Sequence, residues 1–156
     1  MNRYQELISE ILPKLYMGGT ADNDIVSFPK RLRNLSEREE FDAVVTCYAY
    51  AQPMNWYSHE NRFAFADGPL DKPTFEKAIE LADWLHVKWK NGARSLSRCA
   101  MGWNRSGLVM ALVLMREGFS SDQAISLIRS KRGPNALCNS DFVKFLHMHE
   151  ALNKAS

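Results

Sequence analysis

The sequence holds only three cysteines, Cys47, Cys99 and Cys138, an odd number at no metal-ligand spacing. Neither a disulfide framework nor a zinc site is supported, and a reducing, cytoplasmic setting is implied. Long apolar runs are missing as well. The longest, Leu108 to Met115, falls far short of the ~20 residues that span a bilayer, and the first twenty residues lack the apolar centre of a signal peptide. No membrane association is expected. Neither sign of charge dominates: 20 Lys and Arg against 18 Asp and Glu leave a formal net charge of +2, too small to call for nucleic acid. The basic clusters Lys30-Arg-Leu-Arg33 and Arg129-Ser-Lys-Arg132 read as solvated helix faces, with local basic patches as the alternative. His59, His86, His147 and His149 show no nucleophile-pairing pattern, which disfavours a Cys–His protease. Internal repeats and low-complexity segments are also absent.

What is present suits one globular domain over residues 1–156, since 46% hydrophobic and 24% charged residues supply a core and a solvated surface. The chain is organised around Ser95 to Met115. There Cys99 and Arg105 bracket five residues: a strand-like segment leads in, a glycine-containing loop follows, and from Arg105 an apolar run without proline reads as a buried helix. In such a loop successive backbone N–H groups curl round an oxyanion, and the following helix aims its positive dipole end at the same point. The amides of Ala100, Met101, Gly102, Trp103, Asn104 and Arg105 form the expected phosphate-binding set. Cys99 should lose its proton easily in that field, because helix N-termini and nearby cations lower a thiol pKa from about 8.5 into the range of roughly 3.5 to 7.5. It is then a nucleophile. The planar guanidinium of Arg105 can grip two phosphoryl oxygens and hold them more tightly as charge spreads during transfer. Ser106 can donate to the sulfur.

Cys-x5-Arg-Ser between a strand and a buried helix resembles the signature of the protein tyrosine phosphatase superfamily, and the dual-specificity branch fits best. The likeness extends to Leu12-Pro-Lys-Leu-Tyr-Met-Gly-Gly19, which resembles the family's opening strands, and to Arg129-Ser-Lys-Arg132 with Asn139-Ser-Asp-Phe142, which resemble its closing helices. This resemblance implies hydrolysis of phosphotyrosine and/or phosphoserine and phosphothreonine monoesters through a phosphocysteine, with no metal and no cofactor. The implied partner is a phosphorylated protein or a small phosphomonoester; oligomeric state is left open. It also implies a general acid, an aspartate some thirty residues before the cysteine. Asp67 and Asp71 stand 32 and 28 residues before Cys99, at the two ends of Asp67-Gly-Pro-Leu-Asp71. Asp67 is the preferred acid. Asp71 precedes Pro73 and the helically spaced Phe75, Ala78, Ile79, Ala82, Leu85 and Trp89, so it reads as an N-cap.

Asn139 resembles a family asparagine that supports the phosphate loop from behind, with a plain helix N-cap as the equal alternative. The chain departs from the family at Arg98, where histidine is common, and at Ser95 and Ser97, where apolar residues are common. Strand alternation puts both serines on one face, and a buried hydroxyl left unpaired costs ~1 to 3 kcal/mol, so loop order is expected to suffer. Arg98 either adds to thiolate stabilisation or pulls the loop out of shape. Two rival readings are a phosphoinositide or RNA 5′-triphosphate phosphatase on the same loop, and a catalytically weak phospho-binding pseudophosphatase. The neutral Ala100, Met101, Gly102, Trp103 and Asn104 weigh against polyphosphate substrates.

The expected fold is α/β, a central mixed sheet flanked by helices on both faces, with the phosphate loop at a strand-to-helix junction. Ile11-Leu12 and Leu15 to Met17, punctuated by Pro13, read as two edge strands. A helix from Phe28 to Leu35 and an exposed turn from Ser36 to Glu40 follow. Phe41 to Tyr48 reads as a strand buried on both faces, hence central. Tyr50 to Asn61 is an aromatic-rich loop, either a wall of the substrate pocket or packing at the core's edge. Arg62 to Ala66 and Ala93 to Arg98 read as further strands. Asn91-Gly92 and Glu117-Gly118 are helix stops, Ser120-Ser-Asp-Gln123 is a capping box for a helix from Asp122 to Arg132, and Gly133-Pro134 ends that helix. Phe142, Phe145, Leu146, His149 and Leu152 make one apolar face of a final helix.

Overall fold

The computed structural model describes residues 7–20, 41–54 and 57–155. Strands β1 (Ile8–Leu12) and β2 (Leu15–Gly18) form an antiparallel hairpin about Pro13-Lys14. Lys14 takes the left-handed conformation, φ 68°, and its N–H is bonded to the Glu10 carboxylate. Strands β3 (Ala43–Thr46), β4 (His59–Arg62) and β5 (Ser95–Arg98) complete a mixed sheet of order β1-β2-β5-β3-β4, in which all pairings beyond the hairpin are parallel. The helices are α1 (Lys72–Lys90), α2 (Arg105–Glu117), α3 (Ser121–Arg132) and α4 (Ser140–Ala155). This mixed sheet with helices is the α/β architecture that the sequence leads one to expect, the four described helices sharing one face of the sheet.

Strand placement departs from expectation in three places. Only β1 is an edge strand of the expected pair, because Leu15 to Gly18 also align with Ser95 to Arg98 of β5. The centre of the sheet is β5, with β3 beside it; both are buried along all four residues. The strand expected from Arg62 starts upstream at His59, because β3 offers only Ala43 to Thr46 for pairing, and the ladder closes with the Phe63 N–H on the Thr46 carbonyl. Phe63 and Phe65 alternate as strand residues would. Their rings instead pack together, centroids 6.2 Å apart, against the core on the helix side.

Helix ends follow local chemistry. Asp71 caps α1 by accepting from the Thr74 N–H at 2.8 Å, and Ser120 with Gln123 closes a reciprocal capping box on α3. Gly118, at φ 119°, ends α2 in the left-handed conformation that glycine adopts without penalty. Residues 106–114 of α2 are all buried, and each large apolar side chain there contributes about 1.5 to 3 kcal/mol relative to exposure. That burial anchors α2, which carries Arg105 at its first position. All four described helices join alternate residues of the strands in one core cluster, while Leu7, Ile8, Phe41, Val44 and Leu96 form a smaller cluster on the opposite face. The helix expected at Phe28 to Leu35 and the turn after it lie outside the described residues. Leu152, expected on the apolar face of α4, is 67% exposed; Asn153 and Lys154, not Leu152, line the cleft beside Arg116 and Phe119. None of the described helices is long and apolar enough to cross a membrane.

Candidate active site

The strand β5 delivers the chain into a tight loop whose shape depends on missing side chains. Gly102 has φ 77°, and a Cβ there would collide with the backbone of Gly18 and Gly19; a Cβ on Gly19 would come within 2.7 Å of the backbone of Ala100 and Met101. The loop therefore lies directly on the end of β2, with the Thr20 N–H donating to the Ala100 carbonyl at 2.9 Å. From the far side Arg132, at the end of α3, donates through Nε to the Gly102 carbonyl at 3.0 Å and through Nη2 to the Met101 carbonyl at 3.2 Å. The carbonyls are thus held outward, which leaves the amides to face the other way. Among the described residues no protein group accepts from the backbone N–H groups of residues 100–105. Asn104 occupies the N-cap position of α2, yet its side chain makes no cap bond.

Cys99 is 2% exposed, and its Sγ lies 3.3 Å from Ser106 Oγ. Arg105 donates through Nη1 to the Phe65 carbonyl at 3.2 Å, and its guanidinium sits 5.4 Å over the ring of Tyr48. Its Nε is buried without a hydrogen-bond partner. A buried charged donor left so is costly, and here it lies beside a loop of amides that also lack acceptors. Together they form a receptor for an oxyanion. Burial and the neighbouring Cys99 both push the Cys47 thiol far up, so Cys47 stays protonated; Cys138 is an exposed free thiol.

On the helix side of the loop, both oxygens of Asp67 are occupied by amides. Asn104 Nδ2 donates to Oδ2 at 3.0 Å and Asn139 Nδ2 to Oδ1 at 2.9 Å. Asn139 also donates from Nδ2 to the Gly68 carbonyl and from its backbone N–H to Asn104 Oδ1, while its own Oδ1 accepts from the N–H groups of Asp141 and Phe142. Asn139 thus caps α4 and also ties the 67–70 turn to Asn104. The Leu70 N–H on Asp141 Oδ2, at 2.6 Å, adds another tie. Asp71 points elsewhere, into the cap of α1, where the Thr74 hydroxyl and N–H hold its carboxyl below the usual range.

The same arrangement of sheet and helices is found in solved structures. A mouse putative dual specificity phosphatase complexed with zinc tungstate superposes with a TM-score of 0.80 at 22% identity, covering 99% of this chain and 93% of its own. Human DUSP28 gives 0.78 at 21%, covering 94% and 95%. The fold is that of the dual-specificity phosphatases. PTPMT1 in complex with PI(5)P is more distant, with a TM-score of 0.65 at 14% identity over 94% of this chain and 98% of that one. No protein-family model matches the chain, and no curated protein matches it.

Within this dual-specificity phosphatase fold, the sheet side of the loop is built in this chain's own way. Arg98 is fully buried, on the sheet face opposite to the four described helices. It donates through Nε to Thr46 Oγ1 at 2.9 Å, and through Nη2 to Glu60 Oε2 at 2.9 Å and the Gln52 carbonyl at 2.6 Å. Thr46 Oγ1 and the Met54 N–H also donate to Glu60, whereas Arg98 Nη1 has no partner. Burial pushes the Glu60 carboxyl up, but the hydrogen bonds from Thr46 and Arg98, the Arg98 charge and the Met54 N–H outweigh it, leaving the group below its ordinary value. For Arg98, burial lowers the pKa against the opposing pull of Glu60. To the two roles expected for Arg98 the structure adds a third: its charge is met by Glu60. The serine expectation is corrected. Ser95 Oγ donates to the Ala93 carbonyl and Ser97 Oγ to the Ser106 carbonyl, each at 3.0 Å, so no unpaired hydroxyl loosens the strand.

Glu60, Thr46, Arg132 and Tyr48 were not singled out from the sequence. A buried arginine needs a counter-charge, and that rule, applied to a strand entering a phosphate loop, could have sent the search to the isolated carboxylate of His59-Glu-Asn-Arg62. The basic cluster at the end of α3 is only partly a solvated face, since Arg132 supports the loop and Arg129 holds the carbonyls of Ala136 and Leu137. Of the aromatics near the 50–61 loop, Tyr48 borders Arg105, while Tyr50 is 81% exposed and meets Tyr48 edge-on at 5.6 Å. Trp56 lies outside the described residues.

Proposed function

We propose that this chain is a cysteine-dependent phosphatase that hydrolyses phosphotyrosine and/or phosphoserine and phosphothreonine monoesters as a single catalytic domain in the reducing cytoplasm. The observation that carries this reading is the ring of unsatisfied donors: the N–H groups of residues 100–105 and the buried Arg105 Nε, gathered at the loop that begins with Cys99. Cys99 Sγ attacks phosphorus as the bond to the leaving oxygen breaks, and that oxygen takes a proton from the Asp67 carboxyl. The loop amides and Arg105 hold the three equatorial oxygens as their charge spreads. Water then gives a proton to the Asp67 carboxylate and attacks the phosphocysteine. The P–S bond breaks, the thiolate departs with the Ser106 hydroxyl donating to it, and inorganic phosphate is released with Asp67 protonated once more.

Support for Asp67 over Asp71 comes from its tie to Asn104, the residue before Arg105. Support for a monoester over a polyphosphate comes from the cations round the loop. Arg132 is committed to loop carbonyls and Arg98 to Glu60, and residues 100–104 are neutral, so a second phosphate gains little attraction there. The deciding experiment is hydrolysis of a simple aryl phosphate, with no metal added, by the protein and its Cys99→Ser variant. Turnover that falls by about 10³-fold or more in the variant is expected. An inactive parent, or a variant as active as the parent, overturns the reading.

A further inference from the structure

We infer that Asn104 is a positioning residue for the leaving-group proton, fastening Asp67 to the phosphate loop so that one residue sets both the oxyanion grip and the place of the acid. The inference rests on the phosphatase reading above and adds a residue to it. Asn104 is 8% exposed and stands at the N-cap of α2, where an asparagine side chain commonly turns back to the first helical amides. Here it does not. All three hydrogen bonds of its side chain are turned outward from the helix: Oδ1 accepts from the Asn139 N–H at 2.9 Å, and Nδ2 donates to Asp67 Oδ2 at 3.0 Å and to Cys138 Sγ at 3.4 Å.

Two consequences follow from that choice. The amides at the start of α2 keep their donors for an anion, since the cap that would occupy one of them is forgone. The backbone N–H of Asn104 belongs to the loop while its side chain holds the carboxylate, so a shift of the loop carries the acid with it. Other residue types fail for separate reasons. Serine lacks the reach to serve Asp67 and Asn139 together, and aspartate would set a second carboxylate against Asp67 with like-charge repulsion. The amide of Asn139 on the other oxygen of Asp67 fixes the carboxylate plane from α4, whereas Asn104, the residue preceding Arg105, joins that carboxylate directly to the loop.

The test is leaving-group dependence, because a general acid matters most for a poor leaving group. Turnover of 4-nitrophenyl phosphate and of phenyl phosphate is measured for the parent, Asn104→Ala, Asn104→Ser and Asp67→Asn, and for Asn104→Ala combined with Asp67→Asn. Asn104→Ala slows both substrates, and slows phenyl phosphate about 10- to 100-fold more than the nitrophenyl ester. Asn104→Ser, the smaller change, shifts the ratio in the same direction and serves if the alanine variant does not fold. In the Asp67→Asn background the Asn104 substitution leaves the ratio unchanged. A parallel loss on both substrates, or an equal further change of ratio without Asp67, overturns the positioning role while leaving the phosphatase reading intact. An inactive parent, or activity indifferent to Cys99→Ser, is instead the failure of that reading.

Discussion

On the helix side of the phosphate loop, Asp67, Asn104 and Asn139 are joined by amides at 2.9 to 3.0 Å near the surface. On the sheet side, Arg98 and Glu60 meet as ions at 2.9 Å, with no exposure of the arginine side chain and 17% of the glutamate's. Amide ties each contribute about 0.5 to 1.5 kcal/mol and need no counter-charge. They hold the carboxylate that, in the proposed mechanism, gains and loses the proton. A buried ion pair contributes little net stability, because desolvation offsets most of the attraction, but removing one partner strands the other. The sheet side is accordingly stiff and intolerant of single changes. In the proposed mechanism the side that handles the proton is held by neutral amides, with Asp141 as the second carboxylate on the same turn.

Arg105 is where the two sides meet, through the ring of Tyr48 at the end of β3 and the carbonyl of Phe65 before the acid turn. The largest effect is expected there. Arg105→Lys should lower kcat/KM by about 10³-fold or more, nearly as much as Arg105→Ala, since lysine cannot reproduce the two-pronged grip. Steady-state kinetics showing near-normal turnover for the lysine variant would remove the anion-grip argument from both sides.

Next in size is Asp67→Asn, which should slow alkyl or tyrosyl phosphate turnover by roughly 10² to 10⁴-fold and activated aryl phosphates less. Asp71→Asn should leave leaving-group dependence alone, and asparagine caps nearly as well as aspartate, so stability should hardly change. If leaving-group sensitivity is lost only in the Asp71 variant, the proton comes from the α1 cap and the helix-side ties have another purpose.

The sheet side predicts a stability effect. Glu60→Ala or Arg98→Met alone should cost about 3 kcal/mol, whereas the double change Arg98→Met with Glu60→Leu should cost far less than the sum. Urea unfolding of the four proteins measures the coupling, and additive losses would break the comparison. Arg98→His should also destabilise, because an imidazole cannot reach Thr46, Gln52 and Glu60 together. The pH dependence has a definite sign. The Glu60 carboxyl is held below its ordinary 4.5, so its contribution is present above that value and lost as the pH falls through the ordinary range and below. The parent should lose more stability on acidification than the double variant does.

Smallest in energy, though sharp in outcome, is thiol labelling. Alkylating reagents or mild peroxide should inactivate the protein at Cys99, with phosphate or vanadate protecting it. Cys138, exposed, should label more slowly than Cys99, and Cys47, buried with its thiol pushed up, should stay silent. Peptide mapping that finds Cys47 modified first would contradict the contrast between the two buried thiols.

Much of this molecule is written in short stretches of sequence. The Cys99 to Ser106 motif, the buried run of α2, the Asp71 cap, the Ser120–Gln123 box and the Gly118 stop were all readable, because each depends on neighbours within one turn of chain. The start of β4 was not readable. The alternation of Phe63 and Phe65 satisfies the strand pattern, yet pairing was decided by how much of β3 stood open to receive it. Arg98 shows the difference most clearly. The sequence established by itself that a charged residue enters the loop in an unusual place, but its partner lies 38 residues away on β4. Whether that charge strains the loop or braces it depended on a carboxylate that only the parallel pairing of β4, β3 and β5 brings alongside. Local signals carry caps, turns and anion nests because their donors and acceptors are consecutive. Counter-charges, loop supports such as Arg132, and the amide tie from Asn104 to Asp67 join segments distant in the chain, and tertiary packing alone set their distances.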